Sequence, residues 1–220
     1  MKQLKIKRLL FSIIAILAFP VFFNCAVYPG KQLHTVNQFA DKSAFTKKPS
    51  VYLDIKIRRY ADFKIAYDEE SLQLIEIIEK TTKESQMFSK YTTDQTRNKQ
   101  MDYSIMIKMY RHPHISAGVI TSMTLCILTL GIIPMRMQND YYITATLNDS
   151  KGNELKSYQY YDYTSLWGGI FVLPAFVGPE ADWGTWFSVE NERVHFNTLR
   201  NMIRNLYTDI EKDKLLLDAH

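Results

Sequence analysis

Cysteine is the scarcest informative residue in this chain: Cys25 and Cys126 are the only two. A small exported domain that relies on a disulfide framework carries more, and evenly paired, cysteines. No C-x-x-C is present, nor a G-x-S-x-G, a P-loop or an H-E-x-x-H, so the common thiol-redox, hydrolase, nucleotide-binding and zinc-protease motifs are missing. Charge of one sign is missing too. The net charge is +4, part of it from the basic N-terminus, and the remaining Lys and Arg are scattered. A nucleic-acid reader concentrates its cations on one face, so no nucleic-acid partner is expected. His112-Pro113-His114 has no acidic third ligand at a telling spacing. Glu180, Asp182, Glu190 and Glu192 read as loop and helix-start charge. No catalytic residue, metal ligand or cofactor is expected.

What is present begins with a targeting pattern. Lys2, Lys5, Lys7 and Arg8 precede an apolar stretch from Leu9 to Phe23, the arrangement of a secretory signal peptide over 1–24. Val21-Phe22-Phe23-Asn24-Cys25 resembles a bacterial lipobox, in which the cysteine after the cleavage site receives diacylglycerol. Phe22 and Asn24 depart from the common form, which has Leu three residues before the cysteine and a small residue next to it, and are similar to the looser spirochaete version. That resemblance implies acylation (palmitate-type chains) at Cys25 and attachment to membrane lipid in the cell envelope, at roughly 0.8 kcal/mol per buried methylene. Neither Ala26 nor Val27 is the aspartate of the enterobacterial inner-membrane retention rule, which implies the outer membrane and a periplasm-facing domain. Residues 25–50 read as the lipidated cysteine and a flexible tether.

From there the pattern is α+β, with a single domain expected over 51–215. Val51, Leu53, Ile55 and Ile57 alternate with polar neighbours, the period of a half-buried strand. Asp68, Glu69 and Glu70 open a helix with an apolar face from Leu72, Leu74, Ile75 and Ile78. Residues 89–101 read as a loop, Tyr103 to Tyr110 as a second strand and Asp140 to Leu147 as a third. Asn148 to Asn153 is turn chemistry, and Leu155 to Tyr163 returns as a fourth strand. Phe196, Leu199, Ile203, Leu206 and Ile210 carry the clearest helical spacing. The expected fold is a small, mostly antiparallel sheet in β-α-β-β-β-α order, packed by two helices.

Two uncharged runs interrupt this outline, 115–135 and 163–179. The first is at the threshold length for a membrane-crossing helix. Strand connectivity brings both runs out at one end of the domain. Trp167, Trp183 and Trp186, with Leu130, Ile132 and Ile133, are the candidate membrane-interface residues, because Trp favours the headgroup level. Three placements are open for the runs: folded over the sheet as core, dipped into a leaflet, or spanning. Spanning would isolate a lone hairpin, which is marginal in water. Ser116, Thr121, Ser122, Thr124 and Thr129 are more hydroxyls than a lipid-facing helix needs.

Thr129-Leu130-Gly131-Ile132-Ile133-Pro134, the strand at Tyr141 to Leu147, the turn at Asp149 to Gly152, Ser157 to Asp162 and Leu173-Pro174-Ala175-Phe176 together resemble a pattern of small bacterial lipoproteins with a TLGxxP-like apolar run. The resemblance covers about Ala117 to Gly178 and implies no activity. The element order is similar to that of envelope lipoproteins that act as assembly factors. The expected function is a membrane-anchored envelope lipoprotein acting as a structural, assembly or partner-binding module, with an envelope protein as its partner. A lipid-handling accessory and an integral protein spanning through 115–135 are the alternatives.

Overall fold

The computed structural model describes residues 24–39, 48–59, 69–169, 181–185 and 192–213. Its elements are β1 (Asn24–Pro29), β2 (Ser50–Arg59), α1 (Glu69–Ser85), β3 (Lys90–Thr92), a 3-10 turn (Gln95–Gln100), β4 (Tyr103–Pro113), α2 (Ala117–Leu128), β5 (Met135–Asp149), β6 (Glu154–Gly169), β7 (Asp182–Thr185) and α3 (Glu192–Asp213). The strands are hydrogen-bonded in the order β3-β2-β4-β5-β6-β1-β7. The class is α+β, as expected, but the sheet is mixed rather than mostly antiparallel. β2 pairs parallel with both β3 and β4, whereas β4 with β5, and β1 with β6 and β7, are antiparallel. The crossover through α1 is the reason: parallel neighbours need a connection of a dozen or more residues, and α1 with its flanks supplies it.

The chain divides into two compact units. One comprises the described residues within Gly30–Pro113, Asn139–Tyr163 and Phe196–His220, and the other those within Met1–Pro29, His114–Gln138 and Thr164–His195. The larger unit holds the main core. Tyr103, Ile105, Ile107 and Met109 of β4 and Tyr141, Ile143, Ala145 and Leu147 of β5 are buried at alternate positions, and Leu199, Met202, Ile203, Leu206, Tyr207 and Ile210 of α3 pack on them. The strand alternation and the helical spacing read from the sequence therefore describe real faces. On α1 the buried face is Leu74, Ile78, Thr81, Thr82 and Ser85, while Leu72 is exposed. The polar members are accommodated because Thr81 and Thr82 donate to the carbonyls of Ile77 and Ile78, and Thr82 also meets the Tyr207 hydroxyl. The β5–β6 turn is built by Asp149, whose Oδ1 accepts from the amides of Lys151 and Asn153 at 2.8 Å each. Gly152 supplies the left-handed residue, φ +86°, at a position a side chain would strain.

The smaller unit differs more from expectation. Residues 24–29, expected within the flexible tether and signal, form β1, paired on both edges. Cys25, Ala26 and Val27 are buried there, which is what makes a strand of them. The second apolar run does not leave the sheet at Tyr163: β6 continues to Gly169, and 170–179 lies outside the described residues.

Candidate functional site

The first apolar run is the feature the rest of the smaller unit leaves uncovered. Ser116 starts α2 as its N-cap, accepting from the Val119 amide at 3.3 Å. The helix ends on two left-handed residues, Leu130 (φ 51°) and Gly131 (φ 86°), with the Gly131 amide donating to the Cys126 carbonyl at 2.6 Å. This is a Schellman-type stop, whose usual residue is glycine. The turn 131–134 then passes close to the end of β6: a Cβ on Gly169 (φ +156°) would lie 3.0 Å from the Gly131 carbonyl oxygen and 3.2 Å from the Pro134 Cα.

Between Ile115 and Met135 only Cys126, Gly131 and Met135 are buried. Ile127, Leu128, Leu130 and Ile132 are 69%, 74%, 62% and 58% exposed. Of the three open placements, burial as core does not describe most of this run. A helix apolar on every side is normally enclosed, by protein or by lipid, and this one is enclosed on one narrow line. The spanning placement meets a length limit: twelve residues rise about 18 Å, against roughly 30 Å of hydrocarbon. Among the described residues no helix is long and apolar enough to cross a membrane.

Three of the five hydroxyls in this run bond back onto their own helix. Ser122 donates to the Val119 carbonyl at 2.9 Å, Thr124 to that of Ile120 at 2.9 Å, and Thr129 to that of Leu125 at 2.7 Å. The Thr129 hydroxyl oxygen also accepts from the Ile133 amide at 3.0 Å. A hydroxyl bonded back onto its own helix needs no water, so these residues do not bar α2 from an apolar surrounding.

Of the three tryptophans, Trp167 is exposed on β6, and the Arg136 guanidinium lies 5.5 Å from its ring centroid. Trp183 is in β7 opposite Ala26; its side chain, and all of Trp186, lie outside the description. Leu130 and Ile132 are exposed, as is Ile133, so these three candidates and Trp167 share the smaller unit. Tyrosines that neighbour these runs in the sequence serve the larger unit. Tyr141 is core, Tyr158 and Tyr160 donate to Asp213 and Asp209 of α3 at 2.7 Å each, and Tyr161 donates to Asp140 at 3.0 Å. Burial and then that hydrogen bond push the Tyr161 hydroxyl up to about 12.

Cys25 pairs with Gly168 on one side and Gly184 on the other. It is 1% exposed, and burial first, then the neighbouring Cys126, push its thiol up to about 12. Both sulfurs adjoin Gly168: a Cβ there would sit 3.3 Å from the Cys25 Sγ, and the Cys126 Sγ donates to its carbonyl at 3.9 Å. A thiol so protonated is a poor nucleophile. Asp182 pairs with Arg193 and caps the Val194 amide at 2.9 Å, a structural use of one expected acidic neighbour. Among the described residues no group of three or more His, Cys, Asp or Glu is placed to hold a metal.

No family model matches the chain. No curated protein matches it either. Among solved structures it is similar to a minor lipoprotein from Acinetobacter baumannii, at 7% identity and TM-score 0.37, covering 76% of this chain and 94% of that one. It is also similar to the PelC dodecamer from Paraburkholderia phytofirmans, at 10% and 0.36, covering 84% and 95%. A third is a neuraminyllactose-binding hemagglutinin homolog from Helicobacter pylori, at 11% and 0.35, covering 83% and 91%. At such scores these are distant likenesses of shape and assign no activity.

Proposed function

We propose that this chain is a membrane-seated envelope protein, a structural, assembly or partner-binding module without a catalytic step, whose α2 and following turn lie in a lipid leaflet. The carrying observation is the exposure of an apolar helix whose Ser122, Thr124 and Thr129 hydroxyls are bonded to its own carbonyls. Ile127, Leu128, Leu130 and Ile132 are each about two thirds exposed, so moving that surface from water into hydrocarbon is worth roughly 4–8 kcal/mol in total, before the cost of immobilising the protein. That is enough to hold a domain at a surface. A helix too short to cross then lies in the interface.

Acylation of Cys25 belongs to the same reading. Cys25 is the second residue of β1, so cleavage before it would make it the strand's end, and a lipid there needs only the terminal pairs with Gly168 and Gly184 to open. An envelope protein partner would bind the remaining surface.

The test is labelling of the full chain in its host membrane with a phospholipid that carries a carbene-generating group in its acyl chain. Label mapped by mass spectrometry to 117–134 is expected. A membrane-bound chain labelled only within 1–24 would overturn the leaflet placement of α2.

A further inference from the structure

The apolar run ends in a cation whose surroundings suit a phosphate. Arg136 is the first formally charged side chain in sequence after Arg111 and follows the buried Met135 into β5. Its side chain is exposed. The guanidinium stacks over Trp167 and one Nη2 hydrogen bond goes to the Ser165 hydroxyl at 3.3 Å. A guanidinium carries five N–H donors in a fixed fork, and the Ser165 bond uses one of them. Among the described residues no carboxylate pairs with it. The stack holds the plane in place, which lowers the entropy lost when an oxyanion binds in bidentate fashion. The turn with exposed Leu130, Ile132 and Ile133 packs through Gly131 and Pro134 against Gly169, two residues from Trp167. Apolar side chains, an exposed indole and an oriented cation therefore succeed one another over a short distance, as do acyl chain, headgroup boundary and phosphodiester in a leaflet.

We propose that Arg136, held by Trp167 and Ser165, binds the phosphodiester of an anionic phospholipid. The proposal rests on the leaflet reading and adds the chemistry of the lipid it selects. A cation at the headgroup level avoids the penalty of one at the bilayer centre.

The test reconstitutes the full chain into phosphatidylcholine vesicles containing phosphatidylglycerol, with the acyl chains of one or the other lipid brominated. Tryptophan quenching that is present in the parent and absent from Trp167→Phe reports on Trp167 alone. The expected result is quenching by both lipids, with brominated phosphatidylglycerol favoured roughly fivefold over its bulk share, the ratio that corresponds to about 1 kcal/mol for one cation at the surface. Arg136→Gln should abolish the preference and keep the quenching; Arg136→Lys, which retains charge but not the planar fork, should keep part of it. Equal quenching by both lipids, unchanged in Arg136→Gln, overturns the headgroup site and leaves the leaflet reading standing. No quenching by either lipid overturns both. If inorganic phosphate erases the preference and chloride of equal ionic strength does not, the site takes free phosphate and the lipid assignment fails. A second copy on the same face would appear as self-association that dilution reverses, with Trp167 unquenched.

Discussion

The Cys126 thiol points inward to the Gly168 carbonyl, 3.9 Å away, and Cys126 is the only buried residue of α2. One small side chain is therefore the most deeply buried point at which this apolar helix meets β6. Cys126→Ala should cost about 1 kcal/mol, the order expected for losing one buried sulfur. Cys126→Leu should cost about 1–3 kcal/mol by overpacking against β6. The neighbouring glycines separate two causes. At Gly168 an added Cβ meets the flexible end of Met135 at 2.9 Å, which can move. At Gly169 it meets the Gly131 carbonyl and the Pro134 backbone, and φ is +156°. Urea unfolding should rank Gly169→Ala well below Gly168→Ala in stability; the reverse order would mean that α2 and its turn are not packed in this way.

Much of the larger unit was legible in the sequence because its rules are local. Alternation gave β4 and β5, Asp149 and Gly152 gave the hairpin, and Leu199, Ile203, Leu206 and Ile210 gave α3. β1, β3 and β7 were not legible. They are three to six residues long, too short to show a period, and β1 follows a signal-like run and precedes Pro29-Gly30, which reads as the start of a linker. The character of the candidate site was half legible. Apolar composition marks 115–135, but the same composition serves a core, and the exposure of α2 depends on which neighbours the fold supplies. The Arg136–Trp167 stack joins residues on two strands of a long hairpin, and nothing in either residue's own sequence surroundings announces it.

Glu84 joins α1 to α3. Arg200 Nη2 donates to both of its oxygens, at 2.6 and 2.7 Å, and Arg204 Nη2 to Oε2 at 3.2 Å. The Arg200 hydrogen bond, against the opposing effect of burial, holds its carboxyl below the ordinary 4.5. A carboxylate with a lowered folded pKa contributes stability above its unfolded value, and that contribution is lost as pH falls through the folded one. Glu84→Gln should therefore cost about 1 kcal/mol at pH 7, in keeping with a partly exposed pair. The cost should shrink at pH values below 4.5. Urea midpoints for parent and variant at pH 7 and at acid pH check this; a gap that does not narrow on acidification excludes the ion pair as its source.

Asp162 has the opposite sign. Its Oδ1 accepts from the amides of Tyr163 at 2.8 Å and Gln32 at 3.3 Å, yet burial raises its carboxyl above the ordinary 3.8 against those hydrogen bonds. The group then favours the fold most when protonated, and its contribution declines as pH rises from 3.8 through the folded value. Asp162→Asn keeps the acceptor without the charge. It should be as stable as the parent or more so at pH 7, with the advantage fading in acid. Asp162→Ala leaves amides unpaired and should cost about 1–3 kcal/mol. Thermal melts of both variants at neutral and acid pH decide it, and a marked loss for Asn at pH 7 would show that the carboxylate charge itself is needed.

The proposed acylation of Cys25 is incompatible with the present burial of its sulfur between Gly168 and Gly184 in β1. Acylation consumes the thiol and puts a bulky chain on a sulfur that is 1% exposed here, so the lipidated form must open the first pairs of β1, while Ala26 and Val27, paired with Trp167 and Leu166, can keep the rest. Expressed with its signal, the parent should incorporate a labelled fatty acid and Cys25→Ser should not. On the proposed leaflet placement of α2, Cys25→Ser should resist alkaline carbonate washing in part. Combining Cys25→Ser with Ile127→Ser, Leu128→Ser and Ile132→Ser should lower the retained fraction further, since those side chains are exposed and their loss should leave the fold intact. Unlabelled parent protein would remove the lipid anchor and leave Cys25 as a buried strand residue. Full release of Cys25→Ser by carbonate would instead make the lipid the whole attachment and return α2 to some other partner.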